Sequence, residues 1–310
     1  MIQYLLLRGA YYLSIFFGII LFSFVLFHII PSDPARTILG PNAEQAQVEA
    51  LREKLGLDKP FYLQLAVYFQ NILRLDFGRS YVDNRNVFHE VVTRLTITLS
   101  LIGMSMVMTL GYILLVTIGF LFPSPNRLSD LSDFVMTSLP VFFSGIIVAL
   151  FTLYFYPVTS FSGGIGSISD ILYLIPPALV LSFYPMAILS GILKKEMSVI
   201  LQTPYITAEK SWGFPDIVIL LVYASRNALI PLLSALSNIL PALLTGAFIV
   251  EVIFSIPGTG SLLVKSILEQ DFPMLECTVI MNGAFFVVVN LMFESIYPIV
   301  DPRIVKRNHQ

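Results

Sequence analysis

The sequence predicts an all-α membrane protein with six transmembrane helices. Three observations carry that prediction. Hydrophobic residues fill 56% of the 310 positions and charged residues only 12%, where a soluble domain carries about 25% charge. The mean hydropathy is +0.82. The apolar residues fall into six runs, each long enough to cross a hydrocarbon core of about 30 Å.

Residues 1–8 are a short basic lead, and 9–30 form the first span. A cleaved signal peptide has a shorter apolar region and a small-residue cleavage site. This run is longer and ends in HIIPSDP, so it reads as a retained span. Residues 31–94 are the one extended polar region, with helix-like pieces at 44–55 and 62–73. The core, 95–300, begins with spans two and three at 95–122 and 134–156, joined by the polar turn PSPNRLSD. A Gly/Ser-rich loop, SFSGGIGSISD, follows and reads as flexible. Span four, 172–193, contains Pro176, Pro177 and Pro185, which a bundle tolerates where neighbours satisfy the freed carbonyls. Spans five and six, 229–254 and 274–297, flank a loop at 255–273 with a short amphipathic piece. A basic tail occupies 301–310. No repeat of solenoid period is present.

Lysine and arginine in the short loops set the orientation. One face carries Arg8, Arg127, Lys194, Lys195, Lys210, Arg226, Arg303, Lys306 and Arg307; the short loops of the other carry only Lys265. Both termini and the loop at 194–228 are therefore expected in the cytoplasm, and 31–94 outside it.

Within that loop, TPYITAEKSWGFPDIVILLVYASRNALIPLL (residues 203–233) contains Pro204, Gly213 and Pro215. It cannot be one continuous helix. Each piece beside Gly213 is long enough for a short helix, and the second, 216–225, is unusually apolar for a loop. Two readings stay open on spacing alone: a hairpin lying in the headgroups, or a docking element for a soluble partner.

The stretch resembles the cytoplasmic coupling loop of ABC-importer permeases, whose signature is Glu-Ala-Ala, three residues, Gly, then a downstream Ile and Pro. Thr207, Ala208 and Glu209 fall on the three-residue element, Gly213 on the glycine, and Ile230 and Pro231 on the last pair. RNALIPLL, residues 226–233, is similar to the matching stretch of dipeptide, oligopeptide and nickel permeases. Glu209 stands where a small residue is usual, and the normally basic run after the glycine is here IVILLVYA. IIPSDPARTILGP, LGLDKPFYLQ, the FGRS at 77–80, TRLTITLSL from Thr93, IPGTG at 256–260, the Asp271/Pro273 pair and the closing DPRI extend the resemblance over nearly the whole chain.

The resemblance implies a type I-like permease of a bacterial inner membrane, with an extracytoplasmic segment after its first helix. It implies a second homologous permease subunit, two cytoplasmic P-loop ATPases that hold the ATP and Mg²⁺, and an extracytoplasmic solute-binding protein. Thr207, Ala208, Glu209, Gly213, Arg226, Asn227 and Pro231 would form the ATPase-coupling loop. The substrate stays open between di- or oligopeptides and nickel.

The chain's own chemistry points the same way. There is no Gly-x-x-x-x-Gly-Lys-Ser/Thr phosphate loop, so ATP hydrolysis of that type is not expected here. No cofactor or catalytic residue is expected in the chain, and no nucleic-acid partner. The histidines are His28, His89 and His309, and Cys277 is the one cysteine, which leaves neither a disulfide nor a Cys/His metal cluster. Met104, Met106 and Met108 alternate by two and cannot line one helical face. In span five, Ser234, Asn238, Pro241 and Thr245 recur at helical spacing; in span six, Asn282, Asn290 and Glu294 do so. Polar groups in a span either line a water-filled path or hydrogen-bond between helices; Ser234, Asn238 and Thr245 of span five, with Asn282 and Asn290 of span six, read as the translocation pathway. Glu251 and Glu294 lie near opposite ends of their spans and read as anchors. The competing class is an ion-coupled secondary transporter without an ATPase, which usually shows internal repeats and midplane acids. A membrane protease would need a serine paired with a histidine inside the bilayer.

Overall fold

A computed structural model describes residues 2–29, 34–40, 43–56, 58–122, 126–155 and 168–300. Among them the chain forms α1 (Ile2–Ile29), α2 (Pro34–Leu39), α3 (Gln45–Leu55), α4 (Phe61–Leu73), α5 (Val87–Gly119), α6 (Asn126–Ser138) and α7 (Val141–Phe155). There follow α8 (Ile168–Ile200), α9 (Pro204–Ser211), α10 (Asp216–Val218), a π-helical segment (Ile219–Ala224), α11 (Ser225–Ile253), α12 (Thr259–Leu268) and α13 (Phe272–Val300). The loop at 161–167 and the tail with its DPRI motif lie outside the described residues.

Among the described residues, five stretches are long and apolar enough to cross a membrane: Leu6–Leu26, Val87–Gly119, Asp170–Ile200, Asp216–Ile253 and Phe272–Ile296. The sixth is a broken one. Ser129–Ser138 and Val141–Phe155 meet at 106°, so the run expected as one span at 134–156 is two helices. Pro140 is the cause. It disfavours helical backbone at Leu139, and its own carbonyl then accepts the Phe143 and Ser144 N–H groups to start α7.

Two other boundaries move. The helix of span two starts at Val87, before the apolar run. The piece expected as a separate helix at 216–225 is joined to span five through the π turn, giving one 38-residue stretch from Asp216 to Ile253. Hydropathy marks only the part that suits lipid, whereas backbone hydrogen bonding carries a helix beyond it. Pro176, Pro177 and Pro185 stay inside α8, and Pro231 and Pro241 inside α11.

The chain divides into two compact units. The first is built on Ile97–Ile256. Here α8 packs against α6, α7 and α11, and α7 also packs on α11. Gly145 permits that approach: a Cβ there would sit 2.9 Å from Ile253 Cδ1. Glu251 is fully buried and accepts a 2.6 Å hydrogen bond from Thr98 Oγ1, which gives the expected anchoring a partner. Asp133 on α6 is the polar centre of this unit. It accepts from Tyr112 Oη on α5, and from Ser190 Oγ and Lys194 Nζ on α8, each at 2.7 Å.

The second unit comprises Leu6–Thr96 and Pro257–Leu291. Ile20, Ile72 and Ile280 form one core cluster. Phe17 stacks on Phe69 at 5.1 Å between ring centres, and Phe24 meets Phe61 at the same distance, so α4 runs antiparallel to α1. A second cluster joins Val87, Val91, Leu262, Met274 and Cys277, and Phe77 packs against both clusters. Two motifs far apart in sequence meet here. Ser80 Oγ of the FGRS motif donates to Asp271 Oδ2, and the Tyr81 N–H donates to Asp271 Oδ1 at 3.2 Å. Gly78, inside the FGRS motif, takes left-handed backbone with φ +70°, and its carbonyl accepts the Val87 N–H at the start of α5.

Asp271 is buried, so Asp271→Ala leaves a hydroxyl and an amide without their acceptor. The expected loss is about 2–4 kcal/mol of stability, read as a lowered midpoint of thermal unfolding in detergent. Asp271→Asn, which keeps one acceptor oxygen, is expected to lose less.

Candidate functional site

The glycine-hinged segment begins where α8 ends at Ile200. Thr203 takes extended backbone, and Pro204 opens α9 at a position where no N–H is needed. Ile206 is the buried anchor of this short helix, and α9 packs on the π segment through it and its neighbours. Gly213 has φ +83°, the left-handed region where a side chain strains the backbone. Nothing lies within 4 Å of where its Cβ would stand. Chain reversal at this point brings Phe214 onto Tyr223, with ring centres 5.5 Å apart. Asn227 Nδ2 donates to Tyr205 Oη at 2.7 Å and to the Tyr223 carbonyl, tying the start of α11 to α9.

The outcome is a pinned element with an apolar outer face. Tyr205, Trp212, Phe214 and Ile217 are exposed on it, Trp212 to 73%. Several large apolar side chains left exposed on one short segment suit an interaction site. Sequence reading picked out the signature positions and passed over Trp212 and Phe214. The signal was present: Trp212 is the one tryptophan in the chain.

Thr207, Ala208 and Arg226 are exposed. Pro231 lies inside α11, half-buried. Glu209, placed within the loop by the sequence, lies in α9, half-buried, with its Oε2 shielded from solvent and without a hydrogen-bond partner. The Lys210–Asp216 ion pair, at 3.8 Å and exposed on both sides, adds little.

The polar residues of spans five and six separate. Ser234, Asn238 and Thr245 lie exposed along α11 in the first unit, with Asn238 Nδ2 donating to the Ser234 carbonyl. Asn282 is buried in the second unit, where it donates to the Thr278 carbonyl at 2.8 Å and accepts from Thr259 Oγ1 at 3.2 Å. Asn290, in the same unit, is half-buried and donates to the Phe286 carbonyl. Asn282 therefore joins the IPGTG motif, through Thr259, to span six.

An all-α polytopic membrane protein with a pinned, apolar-faced helix pair at its glycine hinge fits the transport-permease class. Comparison with known proteins gives the family. Residues 122–306 match the binding-protein-dependent transport system inner membrane component, and residues 1–102 match the N-terminal part of that component. A putative peptide transport system permease of Brucella suis is 31% identical over 307 residues, covering 97% of this chain and 98% of its own. An oligopeptide transport system permease of Bacillus subtilis is 30% identical, covering 98% and 99%. A glutathione transport system permease of Shigella flexneri is 29% identical with the same coverage. The chain belongs to the family of binding-protein-dependent transport system inner membrane components, the permeases of ABC importers.

Proposed function

We propose that the chain is one of two related permease subunits of an ABC importer for short peptides. A solute-binding protein delivers the peptide on the outer side, and two partner ATPases drive the cycle from the cytoplasm. The observation that carries this reading is the full-length likeness to permeases named for peptide, oligopeptide and glutathione transport. The likeness of the Gly213 segment to a coupling loop supports docking over the headgroup alternative, with Trp212 and Phe214 exposed for the contact. In this reading α9 and the Gly213 turn receive the movement of the ATPase, and both termini are cytoplasmic. Family membership leaves the ion-coupled carrier without support.

Reconstitution with partner ATPases and a solute-binding protein tests the reading. Di- and tripeptides are expected to stimulate ATP hydrolysis. Stimulation by Ni²⁺ and not by peptides would replace the substrate class while keeping the importer.

The exposed stripe on α11 carries a separate prediction. Asn238→Leu and Thr245→Phe are expected to lower peptide uptake severalfold while leaving complex assembly intact, because both side chains are exposed along α11. Uptake measured in vesicles with matched protein content checks it; unchanged uptake in both assigns the stripe to packing between subunits.

A further inference from the structure

Residues 31–94 read as one polar region, yet α4 within them carries no charge. Apart from its two tyrosines, only Gln64, Gln70 and Asn71 bear polar groups. Asp58, Lys59, Arg74 and Asp76 stand just beyond its ends. Its thirteen residues make a helix about 20 Å long.

This helix lies along the apolar run of α1. Phe61 meets Phe24, and Phe69 stacks on Phe17. Phe24 and Phe17 stand two and nine residues before Leu26, where the α1 span ends, hence about 3 and 14 Å along it. A second gauge agrees. Ile72 shares a cluster with Ile20 and Ile280. Ile20 lies about 9 Å before Leu26, and Ile280 about 12 Å after Phe272, where the span of α13 begins. The C-terminal end of α4 is therefore the deeper end beside both spans. The chain then returns, since Ser80 Oγ donates to Asp271, the residue before Phe272. Backbone that turns at membrane depth must be covered by protein, and here Phe77 packs against both core clusters. Charge is costly in the bilayer, so Arg74 and Asp76 end the entry at this turn, where a long arginine stem reaches back towards water.

Packing uses one side of α4, that of Tyr68, Phe69 and Ile72. The other side carries Tyr62, Leu63, Ala66 and Val67, all exposed, Tyr62 to 69%. Phe17 of α1 and Phe61 of α4 take part in the contact and still remain exposed, so the uncovered apolar surface runs from a transmembrane helix across the seam onto α4. Hydrocarbon suits such a side, whereas water does not. We propose that α4 is a membrane-inserted half-helix, entering the leaflet at the Leu26 end of α1 with Tyr62, Leu63, Ala66 and Val67 against lipid acyl chains. In the orientation proposed above that is the outer leaflet. The inference rests on α1 crossing the membrane and not on what the chain transports.

Spin labels read the depth. Leu63→Cys and Val67→Cys carry a nitroxide in a Cys277→Ser background, and Glu49→Cys on α3, exposed and polar, is the reference. The full-length chain, with the subunits that co-purify with it, is reconstituted in phosphatidylcholine vesicles. Collisions of each label with oxygen, which partitions into lipid, are compared with collisions with a water-soluble chromium complex. The oxygen-to-chromium ratio is expected to be severalfold higher at the Leu63 and Val67 positions than at the Glu49 position, with the Val67 label the deeper of the two. A ratio equal to that of the reference overturns the proposal in favour of an aqueous helix. Equal depth at Leu63 and Val67 overturns it in favour of a helix lying flat in the headgroups. Labels reached by neither reagent overturn it too, placing a protein subunit on that side. If Cys277→Ser fails to fold, the wild-type background serves, because Cys277 is buried.

Discussion

Gly213→Val is expected to abolish coupling while leaving the protein inserted and folded. The residue has φ +83°, and a β-branched side chain there strains the backbone by about 1–3 kcal/mol. Because nothing lies within 4 Å of the would-be Cβ, the penalty comes from the dihedral alone and not from a clash. The chain relieves it by leaving the left-handed region, which swings α9 and Trp212 away from the π segment. Insertion survives, since Gly213 lies between the apolar spans Asp170–Ile200 and Asp216–Ile253. ATPase co-purification and peptide-stimulated hydrolysis are expected to fall at least about tenfold, equivalent to a loss of about 1.4 kcal/mol in docking. Gly213→Asn is the matched control. Asparagine tolerates left-handed backbone, so it is expected to keep most of the activity. Equal ATPase retention by the valine and asparagine variants would remove the hinge from the coupling mechanism.

Asp133→Ala is expected to have the largest effect on stability. Its carboxylate is the common acceptor for Tyr112, Ser190 and Lys194, and the Asp133 and Lys194 side chains are 14% and 12% exposed. Breaking a buried pair by removing one partner costs about 3–5 kcal/mol. Lys194 keeps only Asp130, which is largely exposed. Unfolding of purified protein measures the loss, and the double variant Asp133→Leu/Lys194→Met discriminates its cause. Removing both charges together is expected to restore much of the stability. A double variant as unstable as the single one would assign the effect to packing of α6 on α8.

Composition and hydropathy by themselves determined the all-α membrane class and the approximate location of six crossings, because lipid accepts only long apolar helices with their backbone satisfied internally. The Gly213 turn between two helical pieces was equally legible, since left-handed backbone demands a residue type and so leaves a local mark. Local marks end where contacts begin. The 106° break at Pro140 was hidden, because apolar residues on both sides score alike in any window. The continuity of 216–225 with span five was hidden too, since the Gly213 and Pro215 signals close the preceding segment without saying how far the next helix runs.

Only the tertiary structure joined Ser80 to Asp271, Thr259 to Asn282 and Asp133 to Lys194. These pairs stand 191, 23 and 61 residues apart. Spacing assigns Asn282 to the pathway, whereas its two hydrogen bonds, to Thr278 and Thr259, are visible only in the fold. Hydrophobic periodicity is written along the chain, whereas the satisfaction of a buried polar group depends on which helices meet.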